Sequence, residues 1–320
     1  MKRTFKRYIL ASLIVGLLIL SGCRQSEQEK VRIGALKGPT TMGLLHFLEE
    51  QENRDDSRYE FTMAVGADEL LPLIVKSQLD IALVPANVAA TLYQKTEGEI
   101  VVVDINTLGV LYFVSTGETV ERFDDLAGKT IYLTGKGTTP EYVLTYLLEQ
   151  AGITDYTLEF TSEATEVVAL LQKEQEAVGF LPQPFVSAAL LQDSALKVFA
   201  SAQEVWEDYA GAESQLVTGV TVVRREFLEN YEEVVQDFLQ AHKVSTEWMN
   251  THTEEGAKLV VKAGIVGKEP IARMALPECN LVCIQGSEMR KALEPYLEVL
   301  YKMNPNAVGG KLPGEDFYFE

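Results

Sequence analysis

Apolar and polar positions switch between two periods along this chain, and the switching divides it into short strands and helices. Val31-Arg32-Ile33-Gly34-Ala35-Leu36 reads as a strand and leads through Lys37-Gly38-Pro39-Thr40-Thr41 into a helix-periodic segment, Met42 to Glu50, with Leu44, Leu45 and Leu48 on one face. Tyr59 to Val65 predicts a strand, Asp68 to Ser77 a helix, and Asp80 to Pro85 a buried strand entering a helix over Ala86 to Gln94. Such alternation is the pattern of a parallel sheet with crossover helices. After the apolar strand Ile100 to Asp104 and the segment Leu108 to Val114, the pattern restarts. A strand over Ile131 to Leu133 precedes a second glycine turn, Thr134-Gly135-Lys136-Gly137-Thr138-Thr139-Pro140, and a helix, Glu141 to Ala151. A strand near Tyr156 to Phe160, a helix over Glu163 to Leu171 and a strand over Ala177 to Leu181 then run into Pro182-Gln183-Pro184. Beyond a strand-like return at Val217 to Val223, the sequence reads as helices over Glu226 to Asn250, Glu254 to Ala263, Glu269 to Ala275 and Glu288 to Met303, with no further sheet. The expected fold class is α/β. Two lobes, each a mostly parallel sheet flanked by helices, are joined by a two-strand hinge near Leu108 to Val114 and Leu216 to Val223. Residues 31–112 and 218–320 make lobe 1, and 113–217 make lobe 2.

Ahead of Val31 the pattern differs. Lys2, Arg3, Lys6 and Arg7 precede an apolar run, Tyr8 to Leu20, that ends in Leu20-Ser21-Gly22-Cys23. This is the layout of a signal peptide, and the run falls short of the roughly 20 apolar residues of a membrane-spanning helix. It resembles a bacterial lipobox, which implies cleavage after residue 22 and a lipid on Cys23; an uncleaved anchor would export the rest equally. Residues 23–30 are polar and aperiodic, a flexible tether. Against 28 Lys and Arg the chain carries 47 Asp and Glu, a formal charge of −19 that becomes −23 once the four bases of 1–22 are removed. A dispersed acidic surface with no basic stripe excludes nucleic acid as a partner. The 290 residues from Val31 exceed what one core normally organises, which agrees with two lobes. Cys279 and Cys283 can form a disulfide in an oxidising compartment, or stay apart because a helical turn holds Cα atoms about 6 Å apart in poor orientation.

Candidate chemistry gathers at the strand-to-helix turns. Gly38, Pro39, Thr40, Thr41 and Met42 in the first half, and Gly135, Lys136, Gly137, Thr138 and Thr139 in the second, open helices whose free N–H groups favour an acceptor or anion. The threonines either cap their helices or give hydroxyls to a bound solute. Neither turn has the spacing of a nucleotide-binding loop. Lys37 and Lys136 either lend charge to an anion or stand in solvent. Open α/β sheets bind ligands beyond the carboxyl ends of their strands, which brings in Asn87, Gln183 and Pro184, with Asn106 and Thr107 as secondary candidates. The three histidines, His46, His242 and His252, lack metal-ligand spacing, and the acidic residues show no paired-carboxylate pattern. No catalytic residue, cofactor or metal is expected.

The segments Val31 to Thr40, Asp80 to Asn87, Gly135 to Pro140 and Leu181 to Pro184 together resemble the NMT1/THI5-like, type 2 periplasmic-binding-protein family over nearly the whole exported chain. The resemblance implies a two-lobed type 2 periplasmic-binding-protein fold and a monomeric receptor. Such a receptor delivers a small solute to an ABC permease and its ATPase, and this one would be held by its lipid on the extracytoplasmic face of the cell membrane. Relatives include receptors for sulfonates, taurine, nitrate and thiamine pyrimidine precursors. This chain departs from the pyrimidine binders in lacking an aromatic cluster at its turns, Trp206 and Trp248 lying in helical segments, which favours a small polar or anionic solute. The tail Val308 to Phe319 matches lipoproteins of the same family, and its aromatic end is expected to dock on lobe 1. The family also includes enzymes, menaquinone-pathway dehydratases and pyrimidine synthases; export and the distance of the histidines from the glycine turns speak against that reading. A ligand sensor is a third reading that the sequence does not separate from transport.

Overall fold

The β-branched and aliphatic runs of the sequence become the strands of two separate sheets. The computed structural model describes residues 30–116, 120–174, 177–210 and 214–320; the signal peptide, Cys23 and the tether through residue 29 lie outside them. The strands are β1 (Val31–Leu36), β2 (Tyr59–Ala64), β3 (Ile81–Pro85), β4 (Ile100–Thr107), β5 (Leu111–Ser115), β6 (Lys129–Leu133), β7 (Tyr156–Phe160), β8 (Val178–Pro182), β9 (Lys197–Ser201), β10 (Gly219–Arg224) and β11 (Leu281–Ile284). The first sheet has the order β11-β4-β10-β3-β1-β2 and the second β7-β6-β8-β5-β9. In each, three strands joined by helices are parallel, β2-β1-β3 and β7-β6-β8, and the next strand runs antiparallel to them, β10 in one sheet and β5 in the other. Helices flank both sheets. The chain leaves the first sheet through Leu108-Gly109-Val110 and returns to it through residues 214–218.

Two strands depart from the sequence reading. β11 adds a sixth strand to the first sheet, pairing with β4, where only helices were expected. It is four residues long and sits between a 3₁₀ turn, Leu276–Cys279, and the helix Gly286–Met303, too short for its period to register. β9 joins the second sheet beside β5 as an edge strand. The first helix also breaks, into a single turn Pro39–Met42 and a helix Leu45–Glu52. The C-terminal tail docks as expected: Phe317 is fully buried and meets Tyr93 edge to face at 5.1 Å, and the Phe319 N–H donates to the Val102 carbonyl at 2.9 Å.

The helix Gly286–Met303 joins the cores of the two halves. Its Leu293, Tyr296 and Leu297 are buried against β4 and the helix Ala86–Lys95 on one side and the helices Thr139–Gln150 and Ala202–Ala210 on the other. Trp206 lies wholly buried between Tyr146 and Tyr296, at ring distances of 4.9 and 5.6 Å, and its indole N–H donates to Ser214 Oγ at 3.1 Å. An aromatic cluster of this size buries several hundred square ångströms and supplies most of its stabilisation through lost water contact.

The amino-terminal edge of the first sheet is closed by a buried charge. Asp80, immediately before β3 and 2% exposed at its side chain, accepts from the Arg32 backbone N–H (2.9 Å), Arg32 Nε (2.9 Å) and Nη2 (2.6 Å), and Arg224 Nη2 (2.9 Å). Burial pushes its carboxyl upward, but the hydrogen bonds from the two guanidinium groups outweigh that and hold it below the ordinary carboxylate value. The clasp ties the start of β1 and β3 to the end of β10, far from the turns at the opposite end of the sheet. Asp80→Asn is expected to destabilise the protein by about 3 kcal/mol, because two guanidinium groups lose their buried partner. A depressed carboxyl stabilises the fold above about pH 4, where its unfolded counterpart is ionised, and loses that contribution as acid protonates it. The gap in urea midpoint between wild type and variant should therefore shrink below about pH 4; a constant gap down to pH 3 would contradict this account.

Candidate functional site

Strand register decides which ends of the two sheets meet. On β10, Gly219 stands opposite both Pro85 at the end of β3 and Thr107 at the end of β4. On β5, Leu111 stands opposite Pro182 at the end of β8, and Tyr112 opposite Ser201 at the end of β9. Both crossings thus run between the carboxyl ends of the parallel strands, and the turns after β1, β3, β6 and β8 all surround that junction. Backbone bonds fasten the turns after β3 and β8 to it: the Ala86 N–H donates to the Thr218 carbonyl (3.0 Å), Thr218 N–H to Thr107 (3.0 Å) and Gln183 N–H to Val110 (2.9 Å). This is where open α/β sheets present ligand-binding groups.

The first turn is largely buried. Thr40 is 7% exposed, and Thr41 is fully buried with its hydroxyl donating to the Leu36 carbonyl. Gly38 and Pro39 are half-buried, while Met42 packs into the core behind the turn, against the helix-side face of the sheet. In the second turn Gly137, Thr138 and Lys136 are exposed. Thr138 occupies the N-cap position of the helix Thr139–Gln150, yet its side chain makes no capping bond and donates instead to the Gly135 carbonyl. Gly135 and Gly137 have φ of +82° and +73°, the left-handed region where a β carbon is strained. The Gly137 N–H donates to the Glu141 carboxylate and its carbonyl accepts from Tyr142 Oη at 2.6 Å. Asn304 Nδ2 donates to the same phenol oxygen at 2.7 Å, a direct tie between the second turn and the helix end of the first half. Burial drives the Tyr296 phenol upward against a hydrogen bond with Thr139. Lys136 stacks its ammonium over the Phe160 ring at 5.5 Å, and Lys37 is exposed.

The strand-end residues fall into two groups. Asn87 is half-buried in the first turn of the helix Ala86–Lys95, whose N-cap position is Pro85, so its side chain does not cap it. Gln183 is buried, with Oε1 accepting from Ser187 N–H (3.3 Å) and Oγ (2.8 Å), and it precedes Pro184 through a cis peptide bond. Thr107 is fully buried and donates to Asn106 Oδ1 at 3.0 Å, while Asn106 Nδ2 donates to Thr221 Oγ1 at 3.3 Å. These side chains form a buried polar seam along the ends of β4 and β10.

Sequence reasoning missed Gly219, Tyr142 and Asn304, because each acts through partners distant along the chain. A β carbon on Gly219 would lie 2.4 Å from Asn106 Oδ1 and 2.5 Å from Thr40 Cγ2. Only glycine lets the turn and the seam close together here. The first crossing is gripped from both sides in the same way: Asn280 Nδ2 donates to the Gly109 carbonyl (2.6 Å) and the Gly109 N–H donates to Gln203 Oε1 (3.0 Å). Cys279 and Cys283 are free thiols, Cys279 in the buried core and Cys283 turned toward Asp104 on β4, so the disulfide weighed from the sequence is not formed. Gly219→Ala is expected to displace Thr40 and Asn106 at an overpacking cost of about 1–3 kcal/mol, read as a lower melting temperature together with altered amide shifts at both residues. Unchanged shifts would show that the close approach is not required.

The two sheets, their shared order and the junction between them define a protein of the periplasmic-binding-protein fold. Residues 98–256, which span the second sheet and the return into the first, match the model of the family described as NMT1/THI5 like, and that stretch holds the Gly135 to Pro140 and Leu181 to Pro184 turns on which the resemblance was read. No curated protein sequence matches the chain. Among solved structures it is similar to an ABC transporter protein from Parabacteroides distasonis, with 24% identity over 91% of this chain and 99% of that one and a TM-score of 0.77. The periplasmic aliphatic sulphonate binding protein SsuA of Escherichia coli gives 17% identity, 91% and 96% coverage and a TM-score of 0.69. The alkanesulfonate-binding protein SsuA of Xanthomonas axonopodis pv. citri, bound to MOPS, gives 16% identity, 89% and 94% coverage and a TM-score of 0.61. Among the described residues no helix is long and apolar enough to cross a membrane.

Proposed function

We propose that this chain is the solute-binding receptor of an ABC importer. It captures a small polar or anionic solute between its lobes and presents the closed form to a membrane permease and its ATPase. The observation that carries the reading is the strand register: both sheets turn their carboxyl ends, with the Gly38 and Gly135 turns, Asn87 and Gln183, toward one junction spanned by two short crossings. The naming of two similar structures as sulfonate-binding proteins favours a solute with an oxyanion group, and the positive end of the helix Thr139–Gln150, opening at the exposed Gly137-Thr138 turn, suits such a group. Hinge closure is the whole mechanism, with no bond made or broken. The receptor works as a monomer on the extracytoplasmic face, held to the membrane by a lipid on Cys23 that keeps it within reach of the permease.

A panel of alkanesulfonates, taurine, nitrate and pyrimidines tests this by thermal shift. A true ligand at a hundred times its Kd stabilises the folded chain by about 2.7 kcal/mol. Thr40→Ala and Thr138→Ala are each expected to weaken binding roughly tenfold, the loss of one hydrogen bond to solute. Stabilisation by none of the panel, or turnover of any member, would remove the reading.

A further inference from the structure

We propose that Asp104, His242 and Cys283 form a binding site for a divalent transition-metal ion of the zinc type. The three side chains come from β4, from the helix Glu232–Thr251 and from β11, and one donor atom of each lies within 4.8 Å of the other two. His242 Nδ1 is 2.9 Å from Asp104 Oδ2, and Cys283 Sγ is 4.0 Å from the same oxygen. With metal–nitrogen and metal–oxygen bonds of about 2.0–2.1 Å and a metal–sulfur bond of about 2.3 Å, the edges of a tetrahedral site are about 3.3–3.6 Å. These two separations lie on either side of that range and the remaining one is at most 4.8 Å, so an ion requires side-chain shifts of about half to one ångström.

Electrostatics points the same way. Both Asp104 and His242 are 0% exposed, and Asp104 Oδ1 and His242 Nε2 have no hydrogen-bond partner. If the imidazole is neutral, the buried carboxylate keeps a full charge on one strong hydrogen bond. If it is an imidazolium, Nε2–H carries charge with no acceptor. In either state Asp104 Oδ1 keeps no partner, a free carboxylate oxygen that an ion beside Oδ2 can engage. A divalent ion held by the carboxylate, a thiolate and a neutral Nδ1 brings the site to zero net charge, and an N, O and S donor set is one that zinc and cobalt accept. The surroundings suit a thiolate ligand: Gln285 Nε2 donates to Cys283 Sγ at 3.1 Å, the kind of outer hydrogen bond that orients and stabilises a metal-bound sulfur. A bound ion displaces the Cys283 proton. Cys283 is the half-buried member of the three. The sequence reading expected no metal because His242 has no neighbouring ligand along its helix.

The test uses the full chain, purified in detergent, reduced and stripped with chelator. Titration with cobalt(II) is expected to give a thiolate-to-cobalt charge-transfer band in the near ultraviolet that saturates at one equivalent and is abolished by zinc. Zinc is expected to raise the melting temperature of the stripped chain. Cys283→Ala, in a short edge strand, should lose both the band and the zinc-induced shift, with Cys283→Ser taking its place if the alanine variant does not fold. His242→Gln should weaken cobalt binding at least tenfold. A wild-type chain with no charge-transfer band overturns the proposal. So does a band or an undiminished zinc shift in the Cys283 variant, which would assign the thiolate or the ion to another place.

Discussion

The carboxylate of Asp80 is the constraint on which the first lobe depends. β10 reaches the first sheet only after the chain has built the whole second sheet, and it must enter between β3 and β4 in one register. Hydrophobic strands alone would tolerate a slip, because β10 is buried on both faces with valines pointing to either side. Arg224 at the end of β10 removes that freedom by meeting Asp80 beside Arg32. Once the clasp is made, Gly219 at the other end of β10 is set against Pro85 and Thr107, and the junction between lobes acquires its geometry.

The second lobe repeats the first in strand order, with β5 filling the place that β10 fills in the first sheet. This exchange explains why both crossings meet at one junction: each antiparallel strand begins at the carboxyl ends of the parallel strands of its own sheet. It also explains why the junction is polar. Thr107, Asn106, Thr221 and Gln183 are buried there but bonded to one another or to nearby backbone and hydroxyl groups, so the polar groups at the junction are held in place by the fold itself. A preordered set of donors and acceptors loses less entropy on binding.

The helix Gly286–Met303 sets a limit on that hinge. Tyr296 packs on Trp206, and Asn304 bonds Tyr142, so a helix rooted on the first sheet reaches the start of the second lobe's main helix. Any displacement of one sheet relative to the other has to slide or release these contacts.

Much of the architecture was legible in the chain. Alternation of strand-like and helix-like runs, the recurrence of a glycine turn before a helix, and the return at Val217 to Val223 express local backbone preference and one-dimensional periodicity, which need no knowledge of what lies nearby in space. β9 and β11 were not legible, because a short edge strand is chosen by the neighbour it pairs with. The need for glycine at 219, the tie from Asn304 to Tyr142 and the meeting of Asp104, His242 and Cys283 were likewise decided only by tertiary structure. Each depends on atoms brought within a few ångströms from positions far apart in sequence, and sequence spacing carries no record of such a distance. The sequence by itself therefore determined most of the elements, their order and the glycine turns that precede the helices, while folding decided which short edge strands form and which buried polar groups find partners.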